Sequence, residues 1–105
     1  MTAELIKFCR RNYPELDKVG DSILTRLFDT YKDTIIVDRQ DGEIRGFLIY
    51  QKWPGFVNVL MTCRIRDGVN NPAWLLNLYR VNFAGQTVAW FDEEKMEARF
   101  HKCHS

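Results

Sequence analysis

Between Thr34 and Gly85 the chain runs through three strand-like segments, a polar loop and a helical pattern, and few folds accommodate that order. The first segment centres on the β-branched Ile35, Ile36 and Val37. It is followed by Asp41 and Gly42, the strongest short hairpin signal in the chain, because both central positions of a tight strand-compatible turn need positive φ. The returning segment carries Gly46 in its middle, where a glycine marks a bulge or a close backbone approach. Trp53, Pro54 and Gly55 form a second turn before a long third strand from Phe56 to Ile65. Alternation sets Val57, Val59, Met61, Cys63 and Ile65 on a core face and Phe56, Asn58, Leu60, Thr62 and Arg64 on a mixed, more open face.

The segment that follows, Arg66 to Asn71, opens onto helical spacing through Ala73, Trp74, Leu75, Leu78, Tyr79 and Asn82. Asn71 suits the N-cap, Pro72 the first helical position and Gly85 the C-cap. A loop meeting a helix start can hold an anion on its orphan N–H groups, and Arg64 and Arg66 lie just upstream. The plainer reading is a capped helix with two solvated arginines. Upstream, Leu5, Phe8, Cys9 and Asn12 share one helical face between an N-cap at Thr2 and a stop at Pro14. A second helix starts at Gly20, is capped by Asp21 or Ser22, and presents Ile23, Leu24, Leu27, Phe28 and Tyr31 as one apolar stripe. Arg10 and Arg11 read as solvated charges beside the first helix. At the other end, Thr87–Phe91 and Met96–Phe100 alternate as a last hairpin, with Phe91 and Phe100 as apolar anchors and Glu97 and Arg99 outward.

Bulk properties exclude some functions. With 105 residues, 46% of them apolar, this is one ordinary globular domain. A net charge of +1 disfavours nucleic acid as partner, since phosphate binding needs an excess of Lys and Arg on one face. No apolar run reaches the roughly 20 residues that span a bilayer. Three widely spaced cysteines do not read as a disulfide framework and point to a reducing cytoplasm, with Cys63 inward and inert. The terminal His101, Cys103 and His104 match no zinc spacing and read as a disordered or weakly paired tail.

The order of elements is therefore ααβββαββ, an α+β chain with a mostly antiparallel sheet of about five strands. In that order, and in the text from Ile36 to Tyr50 around Asp41-Gly42, it resembles the GNAT-type acyltransferase superfamily, without the family's first strand. The resemblance implies acetyl-CoA as cofactor and an amine acceptor. It implies a pyrophosphate loop at Arg66, Gly68, Val69, Asn70 and Asn71, in which Gly68 stands where the family has its central glycine. Ile65 replaces the family's Gln or Arg, Asn70 its small final residue, and Asp67 sets a carboxylate beside the diphosphate position, so the loop is degenerate. Under that reading the third strand's backbone orients the thioester, Tyr79 is the general acid, and Asn58, Thr62 and Arg64 line the substrate groove. No general base is assigned.

The alternative is a non-catalytic GNAT-like binding protein, phage-encoded or accessory, acting through protein–protein contacts. Its aromatic residues fit that use, and the Trp53–Phe56 turn is the candidate contact. An unprotected sheet edge also permits a homodimer.

Overall fold

A computed structural model describes residues 1–66 and 72–103. In chain order these form α1 (Thr2–Asn12), α2 (Asp21–Thr30), β1 (Ile35–Gln40), β2 (Glu43–Trp53), β3 (Phe56–Arg64), α3 (Pro72–Asn82), β4 (Thr87–Asp92) and β5 (Glu97–Lys102), with 3₁₀ turns over Pro14–Lys18 and Lys32–Thr34. The strands lie in the order β1-β2-β3-β4-β5. β1–β2 and β4–β5 pair antiparallel, whereas β3–β4 pair parallel, so the sheet is mixed. The α+β class and the order ααβββαββ agree with the sequence reading. Two compact units are present: Met1–Ile49 with Thr62–Arg66, and Tyr50–Met61 with the described residues of 67–105.

In the first unit, α1 buries Leu5, Phe8 and Cys9, the face its spacing predicts. Phe47 of β2 makes T-shaped contacts with two rings, Phe8 at 5.9 Å and Phe28 at 5.5 Å between centroids. Such T-shaped contacts set the positive rim of one ring on the negative face of another. The hairpin turn has Asp41 at φ 53° and Gly42 at φ 81°, as expected. Asp38 opposes Gly46 and Arg39 opposes Ile44, leaving Arg45 as the extra residue of a bulge. That is the role read from Gly46, and the bulged Arg45 carbonyl accepts the Ile65 N–H at 2.9 Å.

Several expectations about this unit need correction. Thr2 does not cap α1. Met1 holds the cap position, and the Thr2 hydroxyl donates instead to Asp29 of α2 at 2.8 Å. Gly20 precedes α2 as its cap, since its carbonyl already accepts from Ile23 and Leu24 while the Asp21 carboxylate is taken by Arg10. Ile23 is 62% exposed, so the buried stripe of α2 narrows to Leu24 and Phe28. Arg10 is no free surface charge. Its guanidinium donates to the carbonyls of Leu16 and Val19 at 2.6 and 2.7 Å and to Asp21 at 2.6 Å, fastening the α1–α2 connection.

The second unit contains the turn with Gly55 at φ 86°. Val57 and Val59 are buried as alternation predicts. β3 runs through α3 into β4 as a parallel crossover, and the β3–β4 register pairs Val57 with Val88 and Asn58 with Ala89. Tyr79 on α3 and Phe83 just beyond its end are buried. Phe83 meets Tyr50 at 5.0 Å and Tyr79 meets Trp90 at 5.7 Å between ring centroids. Gly85, at φ 78°, lies beyond the helix end at Asn82 rather than capping it, and its N–H donates to the Cys103 carbonyl. That bond, with Cys103 N–H to Gln86, holds the chain end. His101 and Lys102 therefore belong to β5 and Cys103 is buried, which corrects the reading of a loose tail; His104 lies outside the described residues.

Phe91 and Phe100 are not core anchors. They are 56% and 67% exposed. Val88 and Trp90 share the face turned to α3, so alternation directs Ala89 and Phe91 to the opposite face, and the register opposes them to Phe100 and Ala98.

Candidate functional site

Of the loop expected to hold a pyrophosphate, Gly68, Val69, Asn70 and Asn71 lie outside the described residues. Arg66 is described, and its guanidinium is engaged within its own unit. It forms a two-pronged pair with Glu15, at 2.6 and 3.0 Å, and stacks 4.1 Å over the Tyr13 ring. The hydrogen bond from Arg66 holds the Glu15 carboxyl below its usual range, and Glu15 in turn raises the Arg66 guanidinium. Beneath this pair the Tyr13 hydroxyl accepts the Arg64 N–H at 2.8 Å and donates to the Arg64 carbonyl at 2.9 Å. The backbone of β3 at Arg64 is thereby satisfied by a side chain from the end of α1.

The three residues expected in a substrate groove separate. Thr62 is exposed and Arg64 half-buried in the first unit, while Asn58 belongs to the second. Tyr79, expected as the general acid, is 1% exposed, and its hydroxyl has no hydrogen-bond partner among the described residues. Burial first, then the neighbouring Cys103, pushes its phenol well above the ordinary tyrosine value. A phenol held so firmly protonated gives up a proton poorly, and a general acid works best with a pKa near the working pH.

What the second unit does bring together is aromatic. A cleft of about 420 Å³ is lined by Trp53, Phe56, Asn58, Ala89, Trp90, Phe91, Ala98 and Phe100. Trp53 and Phe56 flank the Pro54–Gly55 turn and stack nearly parallel, 6.5 Å between centroids and 9° between planes. Trp53 is 52% exposed, in keeping with the turn read as a contact. The small Ala89 and Ala98 leave room between the larger rings. Asn58 supplies a side-chain amide in an otherwise apolar wall. β5, which carries Ala98 and Phe100, is the last strand in the sheet order, so its outer edge has no strand partner among the described residues.

The sequence held part of the signal for this site. Phe91 and Phe100 alternate with residues of the opposite face, but which parity faces α3 depends on the parallel β3–β4 register, a nonlocal pairing that no local pattern specifies. Among the described residues no helix is long and apolar enough to cross a membrane. Compared with protein-family models, with curated proteins and with solved structures, the chain has no match.

Proposed function

We propose that this chain is a non-catalytic binding module on a GNAT-like scaffold, and that it captures an extended apolar segment of a partner protein. The observation that carries the reading is the aromatic cleft beside the open edge of β5. An added strand on that edge takes main-chain hydrogen bonds from β5, while alternate side chains of the partner reach the cleft over Ala98 and Phe100. Exposed Trp and Phe side chains supply large contact area at low entropic cost, as binding anchors do. The element order and the parallel β3–α3–β4 crossover support the scaffold kinship. The engagement of Arg66 by Glu15, and of the Arg64 peptide by Tyr13, favours binding over acyl transfer. A cytoplasmic setting fits the three free thiols.

A selection of random peptides on the intact protein tests this, with Phe91→Ser/Phe100→Ser as counter-target and Ile23→Ser as a control for an exposed apolar residue elsewhere. Enriched peptides should alternate apolar and polar residues, bind the control and lose at least tenfold in affinity for the double variant. Peptides that bind the double variant equally well, or failure to enrich any, would sink the proposal.

A second reading is acetyl-CoA-dependent N-acyl transfer, with Tyr79 as acid and Arg66, Gly68, Val69, Asn70 and Asn71 around the diphosphate. The Tyr79 hydroxyl, which has no hydrogen-bond partner among the described residues, is the observation in its favour. Acetyl-CoA at 100 times its dissociation constant would stabilise the fold by about 2.7 kcal/mol, which a melting titration detects.

A further inference from the structure

We propose that the cleft between α1 and the β1–β2 hairpin is a second ligand site, taking a small organic carboxylate with an apolar body. Its volume of about 280 Å³ is close to the lower end of the roughly 300–1,000 Å³ of ligand pockets, so the occupant is a compact acid. The cleft lies within the first unit and shares no residue with the aromatic cleft of the second. The bulge in β2 shapes its lining. Val37 opposes Phe47 and Arg39 opposes Ile44, and directly opposed residues share a face of the sheet. Phe47 faces the helices through its contacts with Phe8 and Phe28. Val37 and Arg39 are two positions apart on β1, so Ile44 lies on the helix side as well. Without the extra residue Arg45, alternation along β2 would send Ile44 to the opposite face; a bulge re-aims a side chain in this way. Ile44 and Phe8 thereby give the cleft an apolar surface.

The charges around that surface are unevenly matched. Glu4 lines the cleft, but Arg39 donates to both of its oxygens, at 3.0 and 3.2 Å, and to the Gly42 carbonyl at 3.3 Å. That guanidinium neutralises Glu4 and ties α1 to the hairpin turn. Lys7 and Arg11 also line the cleft, four residues apart and so neighbours on one side of α1. Among the described residues neither side chain has an ion-pair or hydrogen-bond partner. Two unmatched cations beside an apolar surface suit an amphipathic anion. The carboxylate meets the Lys7 ammonium and the planar fork of Arg11, while the hydrocarbon covers Phe8 and Ile44. Glu43, lining the same cleft without a side-chain partner among the described residues, limits the charge of the occupant. Lys7 and Arg11 against Glu43 leave a single positive excess, which accepts a carboxylate and opposes a polyphosphate.

The test titrates hexanoate into the full chain, labelled for amide chemical-shift mapping, with hexanol and inorganic phosphate as comparison probes. Lys7, Arg11 and Glu43 are exposed, so binding should be millimolar, with each cation contributing about two- to fivefold. Hexanoate should give saturable shifts at Lys7, Arg11, Gly42 and Ile44, and neither hexanol nor phosphate at equal concentration should reproduce them. Lys7→Gln/Arg11→Gln should weaken hexanoate about tenfold. Arg26→Gln/Lys32→Gln, which removes as much charge at exposed positions of the same unit, should leave it within about twofold. Glu43→Gln should instead tighten binding about twofold, a gain that damage to the fold would not produce. Shifts that never saturate, shifts that hexanol or phosphate matches, or shifts that survive undiminished in Lys7→Gln/Arg11→Gln would overturn the proposal.

Discussion

The single hydroxyl of Tyr13 satisfies both backbone groups of Arg64, 51 residues away, accepting its N–H at 2.8 Å and donating to its carbonyl at 2.9 Å. Tyr13→Phe keeps the ring and its stack with Arg66 but orphans two half-buried peptide groups. Leaving such groups unpaired costs about 1–3 kcal/mol, so the variant should melt several degrees lower in thermal or urea unfolding. A variant that melts with the wild type would mean water replaces the phenol without loss.

Arg10 should prove more important than a surface arginine. It serves two carbonyls and one carboxylate in the link between α1 and α2. Arg10→Met removes three charge-assisted hydrogen bonds and should cost about 2–4 kcal/mol by urea unfolding, with the stem's packing retained. Arg10→Lys should recover only part of that, because an ammonium cannot reproduce the planar fork.

These two residues mark the boundary of what could be read from the sequence. The Asp41–Gly42 hairpin, the Gly46 bulge and the buried face of α1 are local features, each set by a few neighbouring residues, and they were legible. Arg10, Tyr13 and Phe91 act through partners set by tertiary packing. A helical wheel cannot tell a solvated arginine from one that fastens a connection. Strand alternation gives two faces but not which one a distant helix will cover. The aromatic site was therefore half visible, through Trp53 and Phe56, and half hidden in the parity of β4 and β5.

The Glu15–Arg66 pair predicts an acid-side dependence. The folded Glu15 carboxyl titrates below its unfolded value because Arg66 hydrogen-bonds to it. A depressed folded value means that the contribution is present above the unfolded pKa, about 4.3, and is lost as pH falls through the folded one. The stability gap between wild type and Glu15→Gln should be small at neutral pH and shrink further below that point. A gap that widens in acid would contradict the pairing.

Tyr79→Phe separates packing from chemistry. Its hydroxyl is buried without a partner among the described residues, so its removal should stabilise the fold by on the order of 1 kcal/mol. Burial raises the folded phenol above its unfolded value near 10, so its contribution holds below that pH and is lost above it. The variant should lose less stability than the wild type between about pH 10 and 11. A destabilised variant would reveal a hydrogen bond, and loss of an acyl-transfer activity would favour the catalytic reading.

Phe47 joins both helices of the first unit through its contacts with Phe8 and Phe28. Phe47→Ala should cost about 3–5 kcal/mol, enough to unfold a domain of ordinary stability, whereas Phe47→Leu should remain folded with a reduced melting temperature. Circular dichroism melts of the two variants check this.

The most direct measurement of the binding account is amide chemical-shift mapping with a selected peptide titrated into the labelled protein. The account predicts that the largest shifts fall on β5 and the facing part of β4, at Ala89, Ala98 and Phe100, with the indole of Trp53 moving as well. Shifts concentrated on α1, α2 or β1, with the β5 amides unmoved, would contradict it.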